Sequence, residues 1–167
     1  TFEISAFLFL FIRFGTTFFT SLIVTKSLFS FSEVKRQKLG IWIVILSVLF
    51  GLQSWLYVEA VKYMSVGLAS VVLFTYPLIT YLIVSLLKRR LLDLITILMF
   101  IVATLGIAAI SQSSEGFHTM VIGIVLALLS ALTYSLILIV TPRVSELKNW
   151  EIVKYTTLIP ALTFLYL

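Results

Sequence analysis

Long hydrophobic runs separated by short polar links constrain this chain more than any other feature. We mark six of them: Ile4–Val24, Gly40–Val61, Val66–Leu87, Leu92–Ile110, Met120–Val140 and Ile152–Leu167. A helix as long as the first run, 21 residues, spans roughly 30 Å, the thickness of the hydrocarbon core of a bilayer. The runs lack the polar and apolar alternation of membrane β-strands. The sequence therefore predicts an all-α, polytopic bundle of transmembrane helices with six apolar segments.

The composition excludes most soluble and catalytic classes of protein. Of the 167 residues, 61% are hydrophobic and 11% are charged, whereas soluble domains carry about 25% charged residues. With no cysteine and a single histidine, we expect neither a metal centre nor a cofactor. The net charge of +5 comes from basic residues in the links, so the expected partner is the lipid bilayer and not nucleic acid.

The basic residues alternate from link to link. Ten of them lie near the links after the first, third and fifth runs: Lys26, Lys35, Arg36, Lys38, Lys88, Arg89, Arg90, Arg143, Lys148 and Lys154. The other links contain only Lys62. Because basic residues concentrate in cytoplasmic links, we expect residues 62–65 and 111–119 to lie outside. The predicted location is the plasma (inner) membrane, as an integral, multi-pass protein.

Two rows of small residues predict helix packing. One row has a spacing of four and consists of Gly123, Ala127, Ala131 and Ser135; the other consists of Ser47, Gly51 and Ser54. Small residues allow helix backbones to approach closely in lipid. Small residues are also frequent in membrane helices in general. The alternative, that the two rows reflect this frequency alone, therefore stays open.

Arg13 is a charged residue inside the first run. It lies nine residues after Ile4 and eleven before Val24, a depth at which insertion of arginine costs ~2.5–3.5 kcal/mol or more. Thr17 and Thr20 follow on the same helix face. In one interpretation Arg13 attracts an anionic group of a substrate. In the other it pairs with a carboxylate or with backbone carbonyls, and both stay open.

Further polar residues and prolines occur in the other runs. Gln53 and Tyr57 share a face of the second run and are candidates to contact a solute. Glu59, two residues from the end of that run, is either a proton-coupling group or a solvated end residue. Pro77 and Pro160 lie inside the third and sixth runs, where each removes a backbone donor and bends its helix. The bends are either part of a moving gate or static.

The hairpin from Trp55 to Pro77 resembles a known family. Its segments AVKY (60–63), SVGLAS (65–70) and TYP (75–77) are similar to the third-to-fourth helix hairpin of EamA-like members of the drug/metabolite transporter superfamily. Weaker similarities are Ile12–Arg13–Phe14, Gly106 in TLGIAAI, and GIVLALLSALTY from Gly123 to Tyr134. The family often has glycine-glutamate-arginine before its fifth helix, where this chain has Lys88–Arg89–Arg90. Any role of that glutamate in the family is therefore not assigned to a residue of this chain.

The resemblance implies a fold of ten helices in two inverted five-helix repeats. On that template, residues 1–112 are the first repeat without its first helix, and residues 117–167 are the truncated start of the second. We therefore expect a fragment covering about helices two to seven. The implied function is secondary transport of small organic metabolites or drugs by alternating access, with export as one direction.

The site expected from the resemblance and from the polar residues lies in a central cavity. The cavity residues would be Arg13, Gln53, Tyr57, Tyr76 and Tyr134, with Glu59 as the proton-coupling candidate and Gly67, Pro77 and Pro160 as hinges or kinks. Two other classes stay open, a membrane scaffold or helper without transport, and a lipid-handling enzyme. An enzyme needs several convergent catalytic groups, and this sequence has almost none. The predicted partner is a small-molecule substrate, and a homodimer stays open.

Overall fold

The computed structural model describes residues 6–25, 39–89, 117–145, 147 and 149–166, together with the helical pairs 94–95, 98–99, 101–102 and 105–106. The helices in these ranges are α1 (Ala6–Thr25), α2 (Gly40–Ala60), α3 (Val66–Leu73), α4 (Tyr76–Leu87), α5 (Phe117–Val140) and α6 (Asn149–Tyr166). A 3₁₀ turn, Thr141–Val144, follows α5. Every regular element in the described ranges is helical, which confirms the all-α prediction for them.

Four stretches of the described chain are long and apolar enough to cross a membrane. They are Phe7–Thr25, Gly40–Ala60, Val66–Leu87 and Met120–Val144, and they correspond to four of the six predicted runs. The run from 92 to 110 lies mostly outside the described residues. The last run forms most of α6, which begins at Asn149, three residues before that run. Several spans of this kind are typical of an integral, multi-pass membrane protein.

The chain packs as two units, and the first comprises Thr1–Trp55 and Ile137–Leu167. In this unit α6 packs against α2, where Pro160 Cγ lies 3.4 Å from the position that a Cβ on Gly51 would occupy. The Ser47 hydroxyl lies 3.3 Å from the Tyr155 carbonyl oxygen. On α1, the ring of Phe14 stacks on the ring of Phe164, with centroids 5.9 Å apart. The predicted packing role of Ser47 and Gly51 is confirmed.

The second unit comprises Leu56–Leu136, and here α5 packs on the hairpin formed by the end of α2 and by α3. A Cβ on Gly123 would lie 3.1 Å from Met64 Cγ, 3.2 Å from Tyr63 Cβ and 3.3 Å from the Ala60 carbonyl oxygen. The buried core of the unit consists of Ala60, Met64, Leu68, Ala69, Val72, Met120 and Ala127. The packing predicted for the row that begins at Gly123 is confirmed, because small side chains allow this close approach.

Candidate functional site

The helix of the third apolar run is interrupted in the middle of its span. Helix α3 ends at Leu73 and α4 begins at Tyr76, which leaves Phe74 eight residues from Val66 and thirteen from Leu87 in the Val66–Leu87 span. Pro77 is the cause, since it has no backbone N–H and cannot occupy a helix interior without breaking a hydrogen bond. The predicted bend at Pro77 is therefore seen here as a break in the helix.

The interruption leaves backbone oxygens without helical donors. The amides of Thr75 and Leu78 donate to carbonyls three residues earlier, Val72 at 3.1 Å and Thr75 at 3.0 Å. Within the described chain, the carbonyl oxygens of Leu73 and Phe74 accept no backbone hydrogen bond. An unpaired backbone group in hydrocarbon costs several kcal/mol, so irregular backbone at this depth is found where it is buried in protein or lines a water-filled cavity.

Two tyrosines lie together at the start of α4. The rings of Tyr76 and Tyr134 are packed edge to face with centroids 4.5 Å apart, an arrangement that aromatic pairs favour. The Ser135 hydroxyl donates to the Tyr76 carbonyl oxygen at 2.9 Å, and the Thr80 hydroxyl reaches the same oxygen at 2.8 Å. Helix α5 is therefore hydrogen-bonded to α4 immediately before Pro77. The structure brings together two of the predicted site residues.

Tyr57 forms a second polar contact in the same unit. Its hydroxyl lies 2.8 Å from the Ser70 hydroxyl, while Ser70 donates its own hydrogen to the Val66 carbonyl at 2.8 Å. Because a serine hydroxyl has one hydrogen, Tyr57 is the donor to Ser70. Ser70 and Tyr76 are six residues apart, about 9 Å along a helix axis. The Tyr57–Ser70 contact therefore precedes the interruption along the chain, and the Tyr76–Tyr134 pair follows it.

Replacement of Tyr57 by Phe should lower the free energy of unfolding by ~0.5–1.5 kcal/mol, because one hydrogen bond between α2 and α3 is lost. Ser70→Ala should cost a similar amount, and the double variant little more than either single one. Unfolding in mixed detergent micelles measures all three, with Tyr81→Phe on the exposed side of α4 as the control. Additive costs, within about 0.3–0.5 kcal/mol, would show that the two hydroxyls are not coupled.

Arg13 and Gln53 belong to the first unit and are described there. Arg13 is exposed on α1, and its guanidinium carbon lies 5.7 Å from the ring centroid of Phe14. The ion pair found in the described residues joins two other side chains, Glu59 and Lys62, so a carboxylate partner of Arg13 is not seen there. Gln53 is buried, and its side-chain oxygen accepts a hydrogen bond of 3.3 Å from the Ser54 hydroxyl.

The remaining predicted residues have different surroundings. Glu59 pairs with Lys62 across one helical turn at 2.6 Å, at the end of α2, so its charge has a partner in the link. Gly67 lies in the first turn of α3, and a Cβ there would meet no atom within 4 Å. Pro160 is inside the continuous helix α6 and contacts Gly51. The roles of these residues in coupling or hinging stay predictions.

Sequence reasoning missed two residues of this region. Ser70 could have been found from the spacing in the hairpin, which turns near Tyr63 and Met64. Tyr57 lies six residues before Tyr63, and Ser70 lies six residues after Met64. Tyr57 and Ser70 are therefore at equal depth on the two arms. Ser135 was assigned to packing alone, although it also donates to the Tyr76 carbonyl.

Lys154, which the charge count places around the fifth link, lies inside a helix. Lys154 lies in the second turn of α6 and has no exposed side-chain surface. The sequence already indicated a helical position for this residue, because Lys154 falls inside the apolar run that starts at Ile152. Without Lys154, nine basic residues remain against one in the charge count, so the predicted orientation does not change.

A sequence model of the EamA-like transporter family matches residues 2–112. The match covers 111 of the 167 residues, including Tyr57, the interrupted helix and Pro77. Comparisons with curated proteins and with solved structures found no match.

Proposed function

This chain belongs to the EamA-like transporter family, and on that premise we propose that it moves small organic metabolites or drugs across the plasma membrane by alternating access. Members of the family are membrane transporters of small molecules and not enzymes. The observation in this chain that best supports a transport pathway is the interruption between α3 and α4 beside Tyr76 and Tyr134. Scaffolding alone does not require such an interruption.

The interruption supplies polar backbone groups for a solute in the middle of the membrane. Discontinuous helices form the binding sites of many secondary transporters, because their freed backbone groups replace water around a polar solute. Here the freed oxygens are those of Leu73 and Phe74. The tyrosine rings add apolar faces, and their hydroxyls both donate and accept hydrogen bonds. This set of groups suits a small organic molecule with a flat or apolar part and a few polar atoms.

The contact between α5 and α4 suggests which helices move. The Ser135 hydroxyl lies 2.9 Å from the carbonyl oxygens of both Tyr76 and Ala131, and one hydrogen can satisfy only one of them well. The bond to Tyr76 can therefore be exchanged for the bond within α5 when α4 moves. We assign α5 to the second inverted repeat and α1 to α4 to the first, so this contact would lie at the repeat interface.

Arg13→Ala should abolish uptake if Arg13 attracts an anionic group of the substrate. Folding should be intact, because the Arg13 side chain is exposed and its charge has no carboxylate partner in the described residues. Arg13→Lys, which keeps the charge, should retain part of the activity. Uptake into proteoliposomes measures the effect, with gel filtration as the test of folding. Unchanged transport of every solute by Arg13→Ala would contradict this role.

The proposed function is tested by a ligand screen on the purified protein. A solute that binds only the folded state raises its stability by mass action, about 2.7 kcal/mol at a concentration of 100 times Kd. Amino acids, nucleosides and lipophilic drugs are the first three sets. A solute that stabilises the protein should also be taken up by proteoliposomes. Stabilisation without uptake of any solute, under either a proton gradient or counterflow, would favour a non-transporting binding protein.

A further inference from the structure

The link between α5 and α6 begins with an ordered turn. The 3₁₀ turn Thr141–Val144 follows α5 directly, and the Leu147 amide donates to the Val144 carbonyl at 3.1 Å. Val144 has no exposed surface, and Leu147 is also buried. The distribution of basic residues predicts that this link lies on the cytoplasmic side. The start of the link is therefore packed into the first unit at its predicted inner end.

Arg143, in this turn, contacts a residue that is distant in the sequence. Its guanidinium carbon lies 4.1 Å from the ring centroid of Trp42, which is in the first turn of α2. This distance is within the ~6 Å range of cation–π attraction, and the planar guanidinium group stacks well on aromatic rings. The contact joins residues 1–112 to residues 117–167, the two parts that we assign to the inverted repeats.

A contact between the repeats at the cytoplasmic face has to break when that face opens. In alternating access the two repeats move against each other around a central site. Trp42 lies nine residues before Gly51, the residue of α2 that contacts Pro160, or about 14 Å along the helix axis. The Arg143–Trp42 contact is therefore at the end of α2 where an inward opening would begin.

The contacts at this end of α2 can break without leaving a buried polar group unpaired. Arg143 is exposed, so its charge stays in contact with water when the ring of Trp42 is withdrawn. The Ser47 hydroxyl donates to the Ile43 carbonyl at 2.8 Å and lies 3.3 Å from the Tyr155 carbonyl oxygen. Its hydrogen therefore keeps a partner within α2 when α6 moves away.

We propose that the Arg143–Trp42 contact is a latch, which holds the cytoplasmic end of the transport pathway closed and whose release opens that end. The inference rests on the proposed function, because it assigns a state of the transport cycle to this contact. A ligand shifts an equilibrium between two states by its differential affinity for them. Binding of the solute therefore has to offset only this contact and the other contacts made in the closed state.

Cysteine labelling tests the latch. The 167 residues contain no cysteine, so Leu73→Cys, next to the interruption, can report on the pathway from either side of oriented vesicles with a membrane-impermeant thiol reagent. Trp42→Ala should speed the reaction from the cytoplasmic side about two- to fivefold, the factor expected for one cation–π contact, and should slow it from the outside. Arg143→Gln should act in the same way, and Arg143→Lys should have a smaller effect.

Trp150→Ala is the matched control. Trp150 lies in the first turn of α6, on the same predicted side of the membrane, and is 49% exposed. This variant should leave both labelling rates of Leu73→Cys as they are in the parent protein. Equal effects of Trp150→Ala and Trp42→Ala would overturn the inference, because loss of any tryptophan at this end would then loosen the bundle.

Three further results would overturn it. The first is unchanged labelling in both Trp42→Ala and Arg143→Gln. The second is faster labelling from both sides, which indicates general loosening and not a shift between two states. The third is failure of both variants to fold, since the contact would then be part of the fold and not a latch. If Leu73→Cys reacts in no variant and not in the parent, the proposed pathway itself is contradicted, and the latch with it.

Discussion

Gly123→Leu should leave little folded protein. The Cβ alone would lie 3.1–3.3 Å from Met64, Tyr63 and the Ala60 carbonyl oxygen, and one of those atoms is backbone that cannot move without breaking the turn after α2. Overpacking of a well-packed core costs ~1–3 kcal/mol and occasionally more, and leucine adds three further carbons beyond this crowded Cβ. The second unit depends on this contact, since α5 packs on the hairpin here.

The matched control for this prediction is Gly15 on α1. A Cβ there meets no atom within 4 Å, so Gly15→Ala should be neutral or stabilising by up to about 1 kcal/mol through helix propensity. Gly123→Ala, which gains the same propensity, should still be destabilised relative to it. Yield of monodisperse protein and the thermal midpoint in detergent measure both. Equal stability of the two alanine variants would mean that the close approach at Gly123 is not required.

Tyr134→Ala should lower uptake at least about tenfold, or ~1.4 kcal/mol in transition-state terms, while the protein stays folded. The substitution removes the ring that packs on Tyr76 at 4.5 Å, and with it one apolar face and one hydroxyl of the proposed site. The loss in stability should be smaller, because an aromatic pair of this kind contributes ~0.5–1.5 kcal/mol beyond its area. The measurement is the initial rate of uptake of a solute found by the screen.

Two further variants separate a site effect from a packing effect. Tyr134→Phe keeps the ring and removes only the hydroxyl. The substrate binding that it retains is therefore the part that does not need the hydroxyl. Tyr81→Ala makes the same substitution on an exposed tyrosine of α4 and should leave uptake unchanged. Equal loss in Tyr134→Ala and Tyr81→Ala would mean that the effect is not specific to the tyrosine pair.

The positions of the helices could be predicted well because hydrophobicity alone determines which stretches enter a bilayer. Helix α2 begins at Gly40, as predicted, and ends one residue before the predicted Val61. The packing of Gly51 and Gly123 was also predictable, since close helix contacts in lipid need small residues. For Pro77, its position predicted a bend in the helix, and the structure has a two-residue turn at 74–75 between α3 and α4, with backbone angles close to helical.

The candidate site was less predictable, because side-chain partners depend on rotation about each helix axis, which spacing does not determine. Tyr57 was identified from its face on α2, but its partner Ser70 came only from the structure. Lys154 illustrates a second limit, since a basic residue near a helix end is counted with the link although its side chain can be buried. Arg13 and Gln53 lie in the other packing unit from the tyrosines, so a single cavity formed by all five residues stays a prediction.

Cysteine accessibility along Val66–Leu87 tests most directly whether the transport pathway passes the interrupted helix. The 167 residues contain no cysteine, so single cysteines can be introduced from Ser70 to Thr80 and treated in proteoliposomes with a membrane-impermeant thiol reagent. Positions near the interruption, such as Leu73 and Tyr76, should react although they are far from both ends of the span, and should do so from either side. Leu132→Cys, on an exposed part of α5 and twelve residues from each end of the Met120–Val144 span, should not react. Reaction confined to the two ends of the span would contradict the account.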